Sequence, residues 1–211
     1  MDWGWHKAEH LENDSDLLSL HDDPRWEGIV KRCKEAETRH TNSLKRPELR
    51  EELLKRMKED QRIRMTAKPD MAEWYKIDAD NTAYMKTVIE IHGWPGKSMV
   101  GDDGALAAFL MIQHADADAA FQKKCLEILT KAVEKKEATA SHMAYLTDRV
   151  LVAEGKPQRY GTQFLDTRFL GPKGELKPQP IEDESNVDAR RKEVGLPPMA
   201  EYIRHMNNLE K

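Results

Sequence analysis

The chain of 211 residues is 39% apolar and 34% charged, a lower apolar and higher charged share than globular chains usually carry. This composition implies one large or two small domains with a heavily charged, mainly helical surface. The 34 Lys and Arg nearly cancel the 38 Asp and Glu, for a net charge of -4, so no basic field exists to hold a phosphate backbone and nucleic-acid binding is disfavoured. Apolar runs such as Ala105 to Ile112 fall far short of a roughly 20-residue membrane span, and Met1-Asp2-Trp3 opens no signal sequence, which predicts a soluble, cytoplasmic protein without a membrane role.

Residues 1 to 22 carry Trp3, Trp5, Leu11, Leu17, Leu18 and Leu20 among polar residues, with Asn13-Asp14-Ser15-Asp16 offering a cap for a short helix. Asp22-Asp23-Pro24 opens a helix whose apolar face is Trp26, Ile29, Val30 and Cys33. A helix is predicted from Pro47 to Met65 on Leu49, Leu53, Leu54 and Met57. Another runs from Met71 to His92 on Ile77, Met85, Val88, Ile89 and Ile91, stopped by Gly93-Trp94-Pro95-Gly96. Asp102 or Asp103 caps a central helix, Ala105 to His114, apolar nearly all round. Asp116 or Asp118 caps the next, bearing Phe121, Cys125, Ile128, Leu129 and Val133, and a long helix spans Ala138 to Glu154. Leu106, Phe109, Leu110, Cys125 and Leu146 are expected in the core.

Beyond Gly155, segments flanking Gly171-Pro172-Lys173-Gly174 predict an irregular hairpin near 158–181 that packs at the mouth of the bundle, followed by closing helices near 188–209. The expected fold class is mainly α: a helical bundle with a small β-hairpin appendage. An N-terminal helical extension, 1–46, precedes a bundle domain, 47–211.

Several helices interrupt their own apolar stripe with polar groups. Leu53 and Met57 lead by steps of four to Gln61, with Asp60 beside it and Arg64 a turn on. Asp78 and Asn81 precede Met85 and Val88, Leu106 and Leu110 lead to Gln113 and His114, and Ser141 and Tyr145 lead to Asp148 and Arg149. A buried polar group without a partner costs about 1 to 3 kcal/mol, so these groups either pair in a structural network or line a wet cavity. His114 is the acid/base candidate of the central helix, because an unperturbed imidazole titrates at about 6.5.

Asp60-Gln61-Arg62-Ile63-Arg64, Asp78-Ala79-Asp80-Asn81, Gly93-Trp94-Pro95, Gln113-His114-Ala115-Asp116, Asp148-Arg149 and Tyr160-Gly161-Thr162-Gln163, in this order, resemble a mainly bacterial helical domain family of unknown function over about residues 48–200. The resemblance implies that these elements share one site, and carries no reaction with it. Residues 1 to 30 loosely resemble the last turn of a tetratricopeptide array, with no second copy.

Catalytic classes with local signatures are disfavoured. No His-Glu-x-x-His or repeated Glu-x-x-His exists, and no bound metal or other cofactor is expected. No Gly-x-Ser-x-Gly surrounds a serine, and Cys33 and Cys125 are far apart and read as buried hydrophobes. Gly93-Trp94-Pro95-Gly96-Lys97-Ser98 has the wrong glycine spacing for a phosphate loop.

The sequence therefore points to a protein that binds a small anionic metabolite, as a metal-independent acid/base enzyme of the hydrolase, isomerase or lyase kind. His114 would move the proton, with Asp60, Asp78 or Asp148 as orienting or second carboxylates. Arg64 and Arg149 would hold the anion, and Gln61, Asn81, Gln113, Tyr160 and Gln163 would orient it. The alternative is a helical interaction module whose N-terminal segment meets a protein partner and whose polar cluster is structural.

Overall fold

The computed structural model describes residues 8–166 and 176–208. The chain is mainly helical. Helix α1 (Ala8–Asn13) is followed by a 3-10 helix (Ser15–Leu20), α2 (Trp26–Ser43), α3 (Pro47–Met65), α4 (Met71–His92), α5 (Lys97–Gln113), α6 (Ala119–Glu134), α7 (Ala140–Ala153), α8 (Val187–Glu193) and α9 (Met199–Asn208). Local chemistry sets the ends. Pro47 opens α3, where a missing N–H costs nothing. Asp70 caps α4 by accepting the Ala72 and Glu73 N–H groups, and Gly93 (φ 71°) ends it in a conformation that favours glycine.

Helix α5 is the centre: it packs most extensively on α3 and also touches α4, α6 and α7. Leu53, Met85, Cys125, Leu129 and Leu146 are buried around its own Val100, Ala107, Ala108 and Ile112. Gly101 (φ 76°) kinks α5 near its start, so the regular helix begins close to the expected Asp102 or Asp103. Three residues expected to face the interior do not: Leu106 is 38%, Ile29 39% and Ile91 67% exposed. The neighbours of α5 do not cover its whole circumference, so periodicity in an all-apolar helix left the uncovered side undetermined.

Strand β1 (Phe164–Asp166) pairs antiparallel with β2 (Leu176–Pro178), Phe164 opposite Pro178. The expected Gly171-Pro172-Lys173-Gly174 turn lies outside the described residues, as do Trp3, Trp5 and Leu209. Helix α9 secures β2 through Asn207, which accepts the Leu176 N–H at 3.0 Å and donates to its carbonyl at 3.1 Å. At the other end, Ala8, Leu11, Val30 and Cys33 form a separate small core. Backbone bonds from Lys45 to Ser98 and from Arg46 to Met99 tie this extension to α5. Among the described residues no helix is long and apolar enough to cross a membrane.

Candidate functional site

The site forms where α3, α4 and the C-terminal end of α5 meet. Asp60, fully buried, follows Leu53 by two turns on α3 and points at the end of α5. His114 caps α5 there, its N–H bonded to the Leu110 carbonyl at 2.9 Å. Its Nδ1 lies 3.0 and 3.1 Å from the two oxygens of Asp60. Gln61 Nε2 donates to Asp60 Oδ2 at 2.7 Å, and Arg64 Nη1 lies 3.0 Å from Oδ1. Burial alone would raise the Asp60 carboxyl. The His114 hydrogen bond, the charges of His114 and Arg64 and the Gln61 amide outweigh it and hold the group below its ordinary value.

Arg64 links this pair to α4. Its Nη2 donates to Asp78 Oδ1 at 2.7 Å, and Trp74 Nε1, one turn before Asp78, donates to Oδ2 at 2.9 Å. The Trp74 ring lies 4.8 Å from the guanidinium carbon, so one aromatic side chain contacts both members of the ion pair.

A second arm lies beyond His114. Asp116, in the turn before α6, receives a bidentate contact from Arg149 of α7: Nε to Oδ1 at 2.7 Å and Nη2 to Oδ2 at 2.8 Å. Arg149 Nη1 reaches Gln163 Oε1 at 3.3 Å. Gln122, buried in the first turn of α6, donates to the carbonyls of Ile112 (3.2 Å) and Gln113 (2.9 Å) and to Asp116 Oδ1 (3.2 Å), which holds the end of α5 against the turn. Sequence reasoning missed Asp116, Gln122 and Trp74. The first was visible in the Gln-His-Ala-Asp string, and Trp74 in its four-residue spacing from Asp78.

The structure thus brings together Asp60, Gln61, Arg64, Asp78 and His114, with Arg149 and Gln163 on the adjoining arm. Four expected residues, Asp148, Tyr160, Asn81 and Gln113, make no side-chain hydrogen bond to this cluster. Asp148 is fully buried and its carboxylate accepts from the N–H groups of Arg159, Tyr160 and Thr162 and from the Thr162 hydroxyl, at 2.7 to 3.2 Å. It anchors a loop, and its oxygens have no room for proton transfer. Tyr160 packs with Ala144 and Val194, away from the cluster, while its carbonyl accepts from buried Arg191. Asn81 takes Arg56 as its partner, at 3.2 Å, and its Nδ2 and the Gln113 Oε1 are buried atoms without a hydrogen-bond partner.

With Asp60 facing Nδ1, His114 in its neutral form carries its proton there and presents the Nε2 lone pair on the other side of the ring. Among the described residues Nε2 has no hydrogen-bond partner, and the side chain is 13% exposed. A carboxylate that orients a histidine whose far nitrogen is open is the arrangement of a general base.

The Gly93-Trp94-Pro95-Gly96-Lys97-Ser98 segment is no phosphate cradle. Glu137 already fills the start of α5: its Oε2 accepts the Ser98 N–H at 2.8 Å and its carbonyl accepts the Lys97 N–H at 3.0 Å. Among the described residues no group of three or more His, Cys, Asp or Glu is placed to hold a metal ion.

Fold and site define a mainly helical domain with a paired carboxylate and histidine at the end of its central helix. Residues 47–210 match a family of unknown function, DUF6624, and the chain belongs to that family. No curated protein and no solved structure matches it significantly.

Proposed function

We propose that this cytoplasmic protein binds a small anionic metabolite and acts on it by metal-independent acid/base chemistry, with Asp60 and His114 as the working pair. One observation carries the reading: Nδ1 of His114 is held by a buried carboxylate while Nε2 is left open. Asp60 orients the ring and favours the imidazolium formed when Nε2 takes a proton from the substrate, which is the usual service of an Asp to a catalytic His. Arg64 and Asp78 fix Asp60 from behind. Arg149 is the anion-holding group, trading the exposed Asp116 for a substrate carboxylate or phosphate of the same bidentate geometry. Gln163, bonded to Arg149, and Gln61, bonded to Asp60, orient the bound molecule.

A second reading, a helical interaction module with a structural cluster, is favoured by the carboxylate partners that Arg64 and Arg149 already have. A metabolite-library thermal-shift screen on the native protein and on His114→Asn separates the two. Asn keeps an N–H donor toward Asp60 and removes Nε2. The first reading expects an anionic hit, which at about 100 times its Kd stabilises by about 2.7 kcal/mol. It also expects an Asn variant of near-native melting temperature that binds the hit without converting it. No anionic hit, or a variant equally able to convert it, overturns that reading.

A further inference from the structure

Helix α2 (Trp26–Ser43) carries a ridge of exposed charges at steps of four: Glu27, Lys31, Glu35 and Arg39. All four line one open groove of about 680 Å³, which Trp26 and buried Val30 also line at one end. The ridge alternates strictly in sign. Among the described residues none of the four makes an ion pair, whereas neighbouring Lys34 pairs with Glu12 at 2.8 Å. The groove belongs to the extension that precedes the family-matched residues 47–210 and that meets α5 through the backbone bonds at Lys45 and Arg46.

We propose that this groove is the dimer interface of the protein and that its occupant is α2 of a second copy, crossing with the chain direction reversed. An alternating ridge of four charges read backwards is its own complement. Glu27 meets Arg39 of the second copy and Lys31 meets its Glu35, and two-fold symmetry repeats both contacts, giving four ion pairs along the ridge. Ridges of i±4 spacing interdigitate when helices cross near -50°, the commonest helix–helix geometry. In parallel register each charge meets its own sign, so the pattern selects one orientation. A helix of 18 residues is about 27 Å long, and one helix pair covers less than the roughly 800 Å² per partner of a standard interface. The dimer is therefore expected to dissociate on dilution and with added salt.

Sedimentation of the full-length protein over a concentration series tests the proposal. The native chain should pass from monomer to dimer. Lys31→Glu and Glu35→Lys, which each place like charges opposite one another, should each raise the dimer Kd at least tenfold. The double variant K31E/E35K restores every opposite pairing and should return to the native Kd. The two single variants mixed one to one should form a heterodimer, because each then meets its complement. Thermal melts of each variant confirm that α2 remains folded. A native chain that stays monomeric throughout, a dimer indifferent to Lys31→Glu, or a double variant no better than either single one overturns the proposal.

Discussion

Asp148 Oδ2 accepts both the backbone N–H and the hydroxyl of Thr162, each at 2.9 Å. The same carboxylate also gathers the N–H groups of Arg159 and Tyr160. One side chain of α7 thereby fixes the loop that carries Gln163 to Arg149.

Asp148→Ala should accordingly act on stability first. It leaves buried donors without acceptors, at about 1 to 3 kcal/mol for each group that water cannot reach, so a loss of at least about 3 kcal/mol is expected. Urea denaturation measures it. Limited proteolysis should show new cleavage between residues 158 and 163, and an unchanged midpoint would refute the anchoring role.

His142 stacks on Phe109 with ring centroids 4.1 Å apart. Burial, helped by the charge of Lys97, lowers its pKa from 6.5 to about 4. The folded protein thus keeps the ring neutral where the unfolded chain protonates it. Stability from this group is complete above about pH 6.5, falls as the pH drops toward 4 and levels off below, by about 3 kcal/mol at most. Asp60 has its carboxyl held low, so its contribution is lost only at still lower pH. Denaturation of the native protein and His142→Phe between pH 4 and 7 should show a clearly shallower slope for the variant.

Gln122 is buried with its amide nitrogen facing three oxygens. Gln122→Leu removes the donor and should cost about 1 to 3 kcal/mol. Gln122→Glu places a carboxylate against the same oxygens, Asp116 among them, and should cost more. Chemical denaturation ranks the two, and the reverse order would mean that packing rather than hydrogen bonding holds the end of α5.

Trp74 offers a milder test. Trp74→Phe removes the bond to Asp78 and keeps an aromatic face beside Arg64, for a loss of about 1 kcal/mol. Trp74→Ala forfeits both and should lose distinctly more in melting temperature.

The limits of α3 and α4 were legible because Pro47, Asp70 and Gly93 act through their own backbone geometry or short-range bonds. Asp60, Arg64 and His114 stood out for a related reason: a polar residue on an apolar stripe is an energetic anomaly wherever it occurs. That anomaly does not say what will satisfy it. Asp60 and Asp148 interrupt their stripes alike, yet one meets a histidine across a helix contact and the other meets backbone N–H groups of a loop. Asp116 lies in a turn, where helical periodicity carries no information. Leu106 shows the converse limit, since an apolar residue in an all-apolar helix gives no sign of facing solvent.

Helix α6 is bracketed by two contacts to opposite ends of α5: Gln122 grips its last carbonyls, and Glu137, just past α6, grips the first N–H groups. The chain between them works as a ruler. One inserted residue would advance its far end by about 1.5 Å and turn it by about 100°, so only one grip could be kept. Side chains facing solvent along α6 are free to vary, whereas the interval from Gln122 to Glu137 should tolerate no change of length. Relatives that keep the His114 corner are expected to differ there by substitution and never by insertion or deletion.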